Sequence, residues 1–248
     1  YAVNNGRKYD IIIIDDPSNP FRVGTYELNT PGHGVHDVWV IDGLAYSSNW
    51  ADGVHVVDVG GVKFNEKNRS KIKYNPFLAM AGQGSPSNPV KLGGVIDPNG
   101  HNHAAFPFIS QSTNKFYIIA GDEWSNQFGM AGGFHFWDFT DPKKPIETAV
   151  FQVPEAGSHN HWVHGDTLLA SNYQGGLRIV DISGELMGDI YSQGREIAFF
   201  KPIDNKGFKP NQTNVWGTMP YKGLIYFSDM YNGLWAVKLE SETQMARN

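Results

Sequence analysis

Three histidines, His36, His101 and His159, each open a short apolar segment, and Thr213 opens a fourth. Two further columns follow: Asp37, Asn102, Asn160 and Asn214, then Val38, His103, His161 and Val215. Imidazole is a good ligand for copper, zinc, iron or nickel, and amide or carboxylate neighbours can orient each ring through its second nitrogen. If the segments converge in space, they form a metal-binding ring. His36, His101 and His159 would stand at one level, with His103 and His161 one step away. Asp37, Asn102, Asn160, Thr213 and Asn214 would be its polar lining. Successive side chains along a strand face opposite ways, so one of His101/His103 and one of His159/His161 should point at the centre. The competing expectation is structural, with these residues hydrogen-bonding loop backbone in every unit. No compact signature such as His-Glu-x-x-His decides between the two.

Convergence requires a repeat, and the chain has one. His36-Asp37-Val38-Trp39, Ala45-Tyr46-Ser47-Ser48-Asn49-Trp50 and Gly53-Val54-His55-Val56-Val57-Asp58 recur 123 residues later without a gap. The later copies are His159-Asn160-His161-Trp162, Ala170-Ser171-Asn172-Tyr173 and Gly176 to Asp181. Each unit reads as short strands, A to D from the axis outward, joined by Gly, Asp and Pro turns. The expected fold is all-β, a β-propeller of four-stranded antiparallel blades over residues 1–239, with a polar tail at 240–248. Five C strands appear, at 11–15, 53–59, 133–138, 176–182 and 233–237, against four complete A–B–C sets. The first unit lacks its inner strands and the last its outer one. The expectation is therefore part of a larger ring, for example seven-bladed, or a five-unit ring closed imperfectly.

Residues 60–84 interrupt the second unit. They read as a polar inserted loop, because the turn Asp16-Pro17-Ser18-Asn19-Pro20 returns only at Ser85-Pro86-Ser87-Asn88-Pro89. The cations Lys67, Arg69, Lys71 and Lys73 make this insertion the expected partner-binding element. Asn49, Asp122, Asn172 and Asp229 end the B strands, where Asn and Asp most often close turns through their own side chains. Trp39, Trp162 and Trp216 are expected as inter-blade core, and Trp50, Trp124 and Tyr173 as B–C turn aromatics.

Composition narrows the function classes. A net charge of −5 with no basic face argues against nucleic acid as a partner. Cysteine is absent, which removes disulfides, thiolate ligands and a cysteine nucleophile. No apolar stretch approaches the roughly 20 residues of a membrane-spanning helix. The chain opens on Tyr1, without initiator Met or signal peptide.

The segments Gly176-Leu177-Arg178-Ile179-Val180-Asp181-Ile182 and Gly53-Val54-His55-Val56-Val57-Asp58-Val59, with the Asp-Pro-Ser-Asn-Pro turn, resemble the LVIVD-repeat proteins. That resemblance implies a β-propeller, bacterial and extracytoplasmic, often tethered to the cell surface. The His-Asp start of an inner strand, followed by Ser-Asn-Trp and a Gly-rich turn, more distantly resembles the selenium-binding protein/methanethiol oxidase propellers. Those imply channel histidines that hold copper, although that family's cysteines have no counterpart here. Two functions follow as expectations. One is an exported, non-catalytic scaffold subunit that binds other protein subunits and carries a His-lined channel able to hold a metal. The other is a copper-, zinc- or iron-dependent oxidoreductase using the same histidines.

Overall fold

Short β-branched and aromatic runs bounded by Gly, Asn, Asp and Pro favour strands joined by tight turns. The computed structural model describes residues 1–4, 6–31, 33–61, 74–96, 101–123, 132–154 and 156–240, and strands dominate it. The first sheet joins β1 (Ala2–Val3), β2 (Lys8–Ile13) and β3 (Phe21–Glu27). The second runs β4 (Asp37–Ile41), β5 (Leu44–Ser48), β6 (Val54–Asp58) and β7 (Val90–Val95). The third runs β8 (Asn102–Ile109), β9 (Phe116–Asp122), β10 (Gly133–Asp138) and β11 (Ile146–Gln152). The fourth begins with β12 (His161–His164), β13 (Thr167–Ser171) and β14 (Leu177–Asp181). The chain then detours to lay β15 (Gly188–Asp189) parallel along β11 of the third sheet, a strap the sequence reading missed. It returns as β16 (Glu196–Phe200) to finish the fourth sheet. The fifth sheet is β17 (Val215–Tyr221), β18 (Leu224–Asp229) and β19 (Gly233–Val237). Among the described residues the first sheet shows no A strand and the last no D strand.

The turns follow their residue chemistry. Asp42-Gly43 and Lys222-Gly223 join A to B with both residues at positive φ, which matches the right-handed twist of the flanking strands. Asp58, Asp138 and Asp181 each end a C strand and accept backbone N–H groups from the turn beyond. Every C–D pair also carries a register shift, at Ile11/Ile12, Val56/Val57, Phe136/Trp137 and Ile179/Val180. Such bulges increase local twist.

Apolar faces pack sheet against sheet in chain order. Tyr9, Tyr26 and Val57 sit in the core between first and second sheets, and Tyr46, Phe116 and Ile118 between second and third. Phe134, Phe151 and Leu168 fill the next, and Leu177, Val215 and Phe227 the last. Five sheets thus share four cores. Among the described residues no buried apolar cluster joins the fifth sheet to the first. The fifth sheet accordingly exposes Leu234 at 76%.

The insertion is not a loose loop where the structure describes it. Asn75 caps α1 (Pro76–Met80), its side chain accepting from the Phe77 N–H, and Pro76 opens the helix, where its missing N–H costs nothing. Phe77 and Leu78 are buried in the core between second and third sheets, with Phe77 against Phe116 and Phe139. Asp58 then accepts the N–H groups of Gly82, Gln83 and Gly84, which fixes the return into β7. The polar count of 60–84 hid one apolar anchor, Phe77-Leu78. Lys67, Arg69, Lys71 and Lys73 lie outside the described residues, as do Trp124 and residues 241–248.

Candidate metal centre

The B strands set the register of the inner strands. Ser48, Gly121, Ser171 and Ser228 occupy equivalent places one residue before Asn49, Asp122, Asn172 and Asp229. Ser48 pairs with Asp37, Gly121 with Ala104 and Ser228 with Gly217, and the Ser171 N–H donates to Asn160. The preceding residues form the true column: His36, His103, His159 and Trp216. Two bulges produce it. β8 skips His103 between its Asn102 and Ala104 pairings, and β17 skips Trp216 between Val215 and Gly217.

The expected level of His36, His101, His159 and Thr213 is therefore corrected. The rings that converge are His36 and His103, with centroids 3.8 Å apart, and His103 and His159, at 4.1 Å. His101 sits two residues upstream; its carbonyl accepts the Glu123 N–H and its ring lies 6.1 Å from Trp50. His161 leaves the cluster altogether and is buried beside Phe106 and Phe134. One histidine of each pair, His103 and His159, joins the cluster, but residues two apart in a regular strand share a face, so the bulge at His103 and the start of β12 only at His161, not alternation, separate them. Of the expected polar lining, Asp37 and Asn160 border a half-open pocket walled by Trp39, Phe106 and Trp162. Asn102 is buried and bonds the Ala104 carbonyl, while Thr213 Oγ1 and the Asn214 N–H both donate to Asp229. Trp216 is corrected too. It is not inter-blade core but stacks on His159, with centroids 4.8 Å apart and planes 13° from parallel.

Glu123, which the sequence reading overlooked, completes the cluster. One ligand atom each from His36, His103 and Glu123 lies within 4.8 Å of the others. Glu123 follows Asp122, so it shares a column with Trp50, Tyr173 and Met230. An acid in a column that is aromatic in two units was the available signal. Trp50 and Tyr173 both have positive φ, 48° and 39°, which is uncommon for bulky residues and costs energy. The N–H groups of Asn49 and Gly53, and those of Asn172 and Gly176, hold these turns closed. The conformation aims both rings at the imidazoles: Trp50 lies 4.6 Å from His36 and Tyr173 5.4 Å from His159.

The hydrogen bonds fix two of the ring tautomers. His36 Nδ1 lies 3.1 Å from the His103 carbonyl, and His159 Nδ1 lies 2.7 Å from the Trp216 carbonyl. A carbonyl only accepts, so each Nδ1 carries the hydrogen and each Nε2 keeps its lone pair. His103 Nε2 is 3.7 Å from Glu123 Oε2. Tyr173 donates its hydroxyl to Glu123 Oε1. Burial and the Glu123 carboxylate raise the Tyr173 pKa, so it stays a phenol and a donor. Burial, reinforced by His159, His36 and His161, holds the His103 imidazole neutral, its pKa pushed down to about 2. Burial lowers His159 as well, against an opposing pull from the Trp216 backbone. Protonation of His103 and His159 is thus disfavoured, the state a metal ligand requires.

No family model and no curated protein matches the chain. Solved structures similar to it include a β-propeller domain of Myceliophteria thermophila Cps50 (Swd1), at 11% identity and TM-score 0.47, over 92% of this chain and 63% of that one. Chaetomium thermophilum Sqt1, bound to the N-terminus of ribosomal protein L10, is similar at 15% identity and TM-score 0.44, over 97% and 59%. The computationally designed Ika4 protein is similar at 8% identity and TM-score 0.47, over 86% and 96%.

Proposed function

We propose that this chain binds a divalent first-row transition metal through His36, His103 and Glu123, at the joint of the second and third sheets. The observation that carries the reading is the convergence of those three ligand atoms within 4.8 Å. Two imidazoles and one carboxylate suit iron(II) or zinc, and His159 beside them would extend the set toward copper. Three protein ligands leave a coordination position open, as in catalytic rather than structural sites. That favours the metal-dependent oxidoreductase expectation over a purely structural ion. When bound, the metal would supply Lewis acidity or electron exchange. The chain's own part is to hold the His103 ring neutral by burial, fix the His36 tautomer through the His103 carbonyl, and keep Glu123 in place with Tyr173. Elemental analysis of protein purified without chelator tests this. Wild type should carry about one metal per chain and His103→Ala none, with both melting cooperatively; a metal-free wild type after zinc, iron or copper loading would sink it.

A second reading, a scaffold subunit within a larger propeller assembly, is favoured by the apolar surface that the fifth sheet leaves uncovered, including Leu234 and Met219. It predicts a native mass well above 27.6 kDa in extracts of the source, reduced by Leu234→Lys. Export and surface tethering belong to this reading as proposals, to be checked by cell fractionation.

A further inference from the structure

The bulge between the C and D strands gives four sheets an equivalent pair of side chains. The D strands β3, β7, β11 and β16 skip Val23, Leu92, Thr148 and Ile197, and the residues just before the skip are Arg22, Lys91, Glu147 and Glu196. Two places before their cross-strand partners stand Asp10, His55, His135 and Arg178 on the C strands. In three sheets an acid there faces a base. Asp10 lies 3.5 Å from Arg22, His135 2.6 Å from Glu147 and Arg178 2.9 Å from Glu196. In the second sheet both members, His55 and Lys91, are basic, and no carboxylate closes the pair. At that place the structure has a pocket of about 270 Å³, open to solvent between the first and second sheets and bordered by Tyr26, Thr30, His55, Lys91 and Ile96.

The side chains define what would close it. Burial, and then the Lys91 charge, keep His55 neutral, its pKa pushed down to about 4. Tyr26 is a phenol, its pKa pushed up to about 12 by burial, and its hydroxyl oxygen lies 2.8 Å from His55 Nδ1. That hydroxyl has no other partner among the described residues, so it donates to Nδ1 and leaves the imidazole hydrogen on Nε2. Nε2 is then a donor without a protein acceptor. Lys91 Nζ likewise has no hydrogen bond or ion pair among the described residues, and burial lowers its pKa against the pull of Asp52. The two acids of the lining are engaged elsewhere. Asp52 Oδ1 accepts from Thr30 and its Oδ2 lies 3.0 Å from His33 Nδ1, while Glu27 lies 2.6 Å from Arg7. Two unmet donors, one of them cationic, beside an Ile96 that is 71% exposed suit an anionic acceptor with a short apolar body. We infer that this pocket binds a small aliphatic carboxylate, whose oxygens take the place that Glu147 and Glu196 fill in the next two sheets. The site shares no residue with the metal centre and does not depend on it.

Histidine chemical shifts of the whole chain, titrated at fixed ionic strength with butyrate, 1-butanol and butylammonium, test the inference. Butyrate should shift His55 saturably and leave His135, whose pair Glu147 already closes, unmoved. Butanol should bind at least about tenfold more weakly for want of a charge-assisted bond, and butylammonium should not bind. Lys91→Met should weaken butyrate by a similar factor. Lys91→Glu supplies the carboxylate from within, so it should abolish the response and raise the His55 pKa. Lys91 is exposed, so neither change empties a core. The proposal is overturned by a wild type without a saturable His55 shift, by butanol binding as well as butyrate, or by an equal shift at His135. Unchanged butyrate binding in Lys91→Met would overturn it too.

Discussion

The joint between the second and third sheets and the joint between the fourth and fifth are built alike. In the first, the Trp50 N–H donates to the Asn102 carbonyl and His36 Nδ1 to the His103 carbonyl. In the second, the Tyr173 N–H donates to the Val215 carbonyl and His159 Nδ1 to the Trp216 carbonyl. Even the next contact is shared, since the Glu123 N–H binds the His101 carbonyl and the Met230 N–H that of Asn214. The backbone clip is the same. The joints differ in the side chain at the bulge and the one facing it: His103 with Glu123, against Trp216 with Met230. The clip is therefore structural, and two side chains turn one copy of it into the His103–Glu123 cluster.

The most disruptive way to break the comparison is Phe77→Ala. It empties the core under the first joint, which α1 supports and the second joint has no counterpart for among the described residues. A loss of about 3–5 kcal/mol in denaturant unfolding is expected, from lost transfer energy and the cavity left behind. Next comes a transplant. Trp216→His with Met230→Glu should create a second ligand cluster at the fourth–fifth joint, and metal analysis should rise from about one to about two equivalents. No gain would mean that the shared clip does not determine ligand geometry. Tyr173→Phe removes only the hydroxyl that holds Glu123, so metal affinity should fall roughly 10–100-fold in competition titrations while the fold stays intact.

The comparison also has a pH dependence. The folded-state pKa values of His103, His161 and His55 lie at about 2, 3 and 4, below the roughly 6.5 of an unfolded chain. The unfolded state therefore binds more protons below about pH 6.5. Stability is full above that value and declines as the pH falls toward those folded-state values. Melting temperature should drop between pH 7 and 5, where few carboxylates titrate. Replacing His55 by Phe should flatten part of that slope.

Most strands, their A-to-D order and the Asp-closed turns were legible along the chain, the strap β15 excepted. Each depends on local periodicity and turn chemistry, and the 123-residue offset repeats both. The ligand cluster was legible only in part. His36 and His159 stood in the right column, but His101 took the place of His103 because matching histidine to histidine ignores a bulge. A bulge inserts one residue into one strand of a pair, so it shows only when the partner strand is in place.

Sequence by itself determined an all-β chain of repeated small sheets with imidazoles near the start of three inner strands. Tertiary structure alone decided which imidazoles meet, that Glu123 joins them, and that His161 is buried apart against Phe106 and Phe134. The reason is geometric. Strand periodicity is a property of neighbours along the chain, whereas the approach of His36 to His103 crosses 67 residues and is fixed by inter-sheet register.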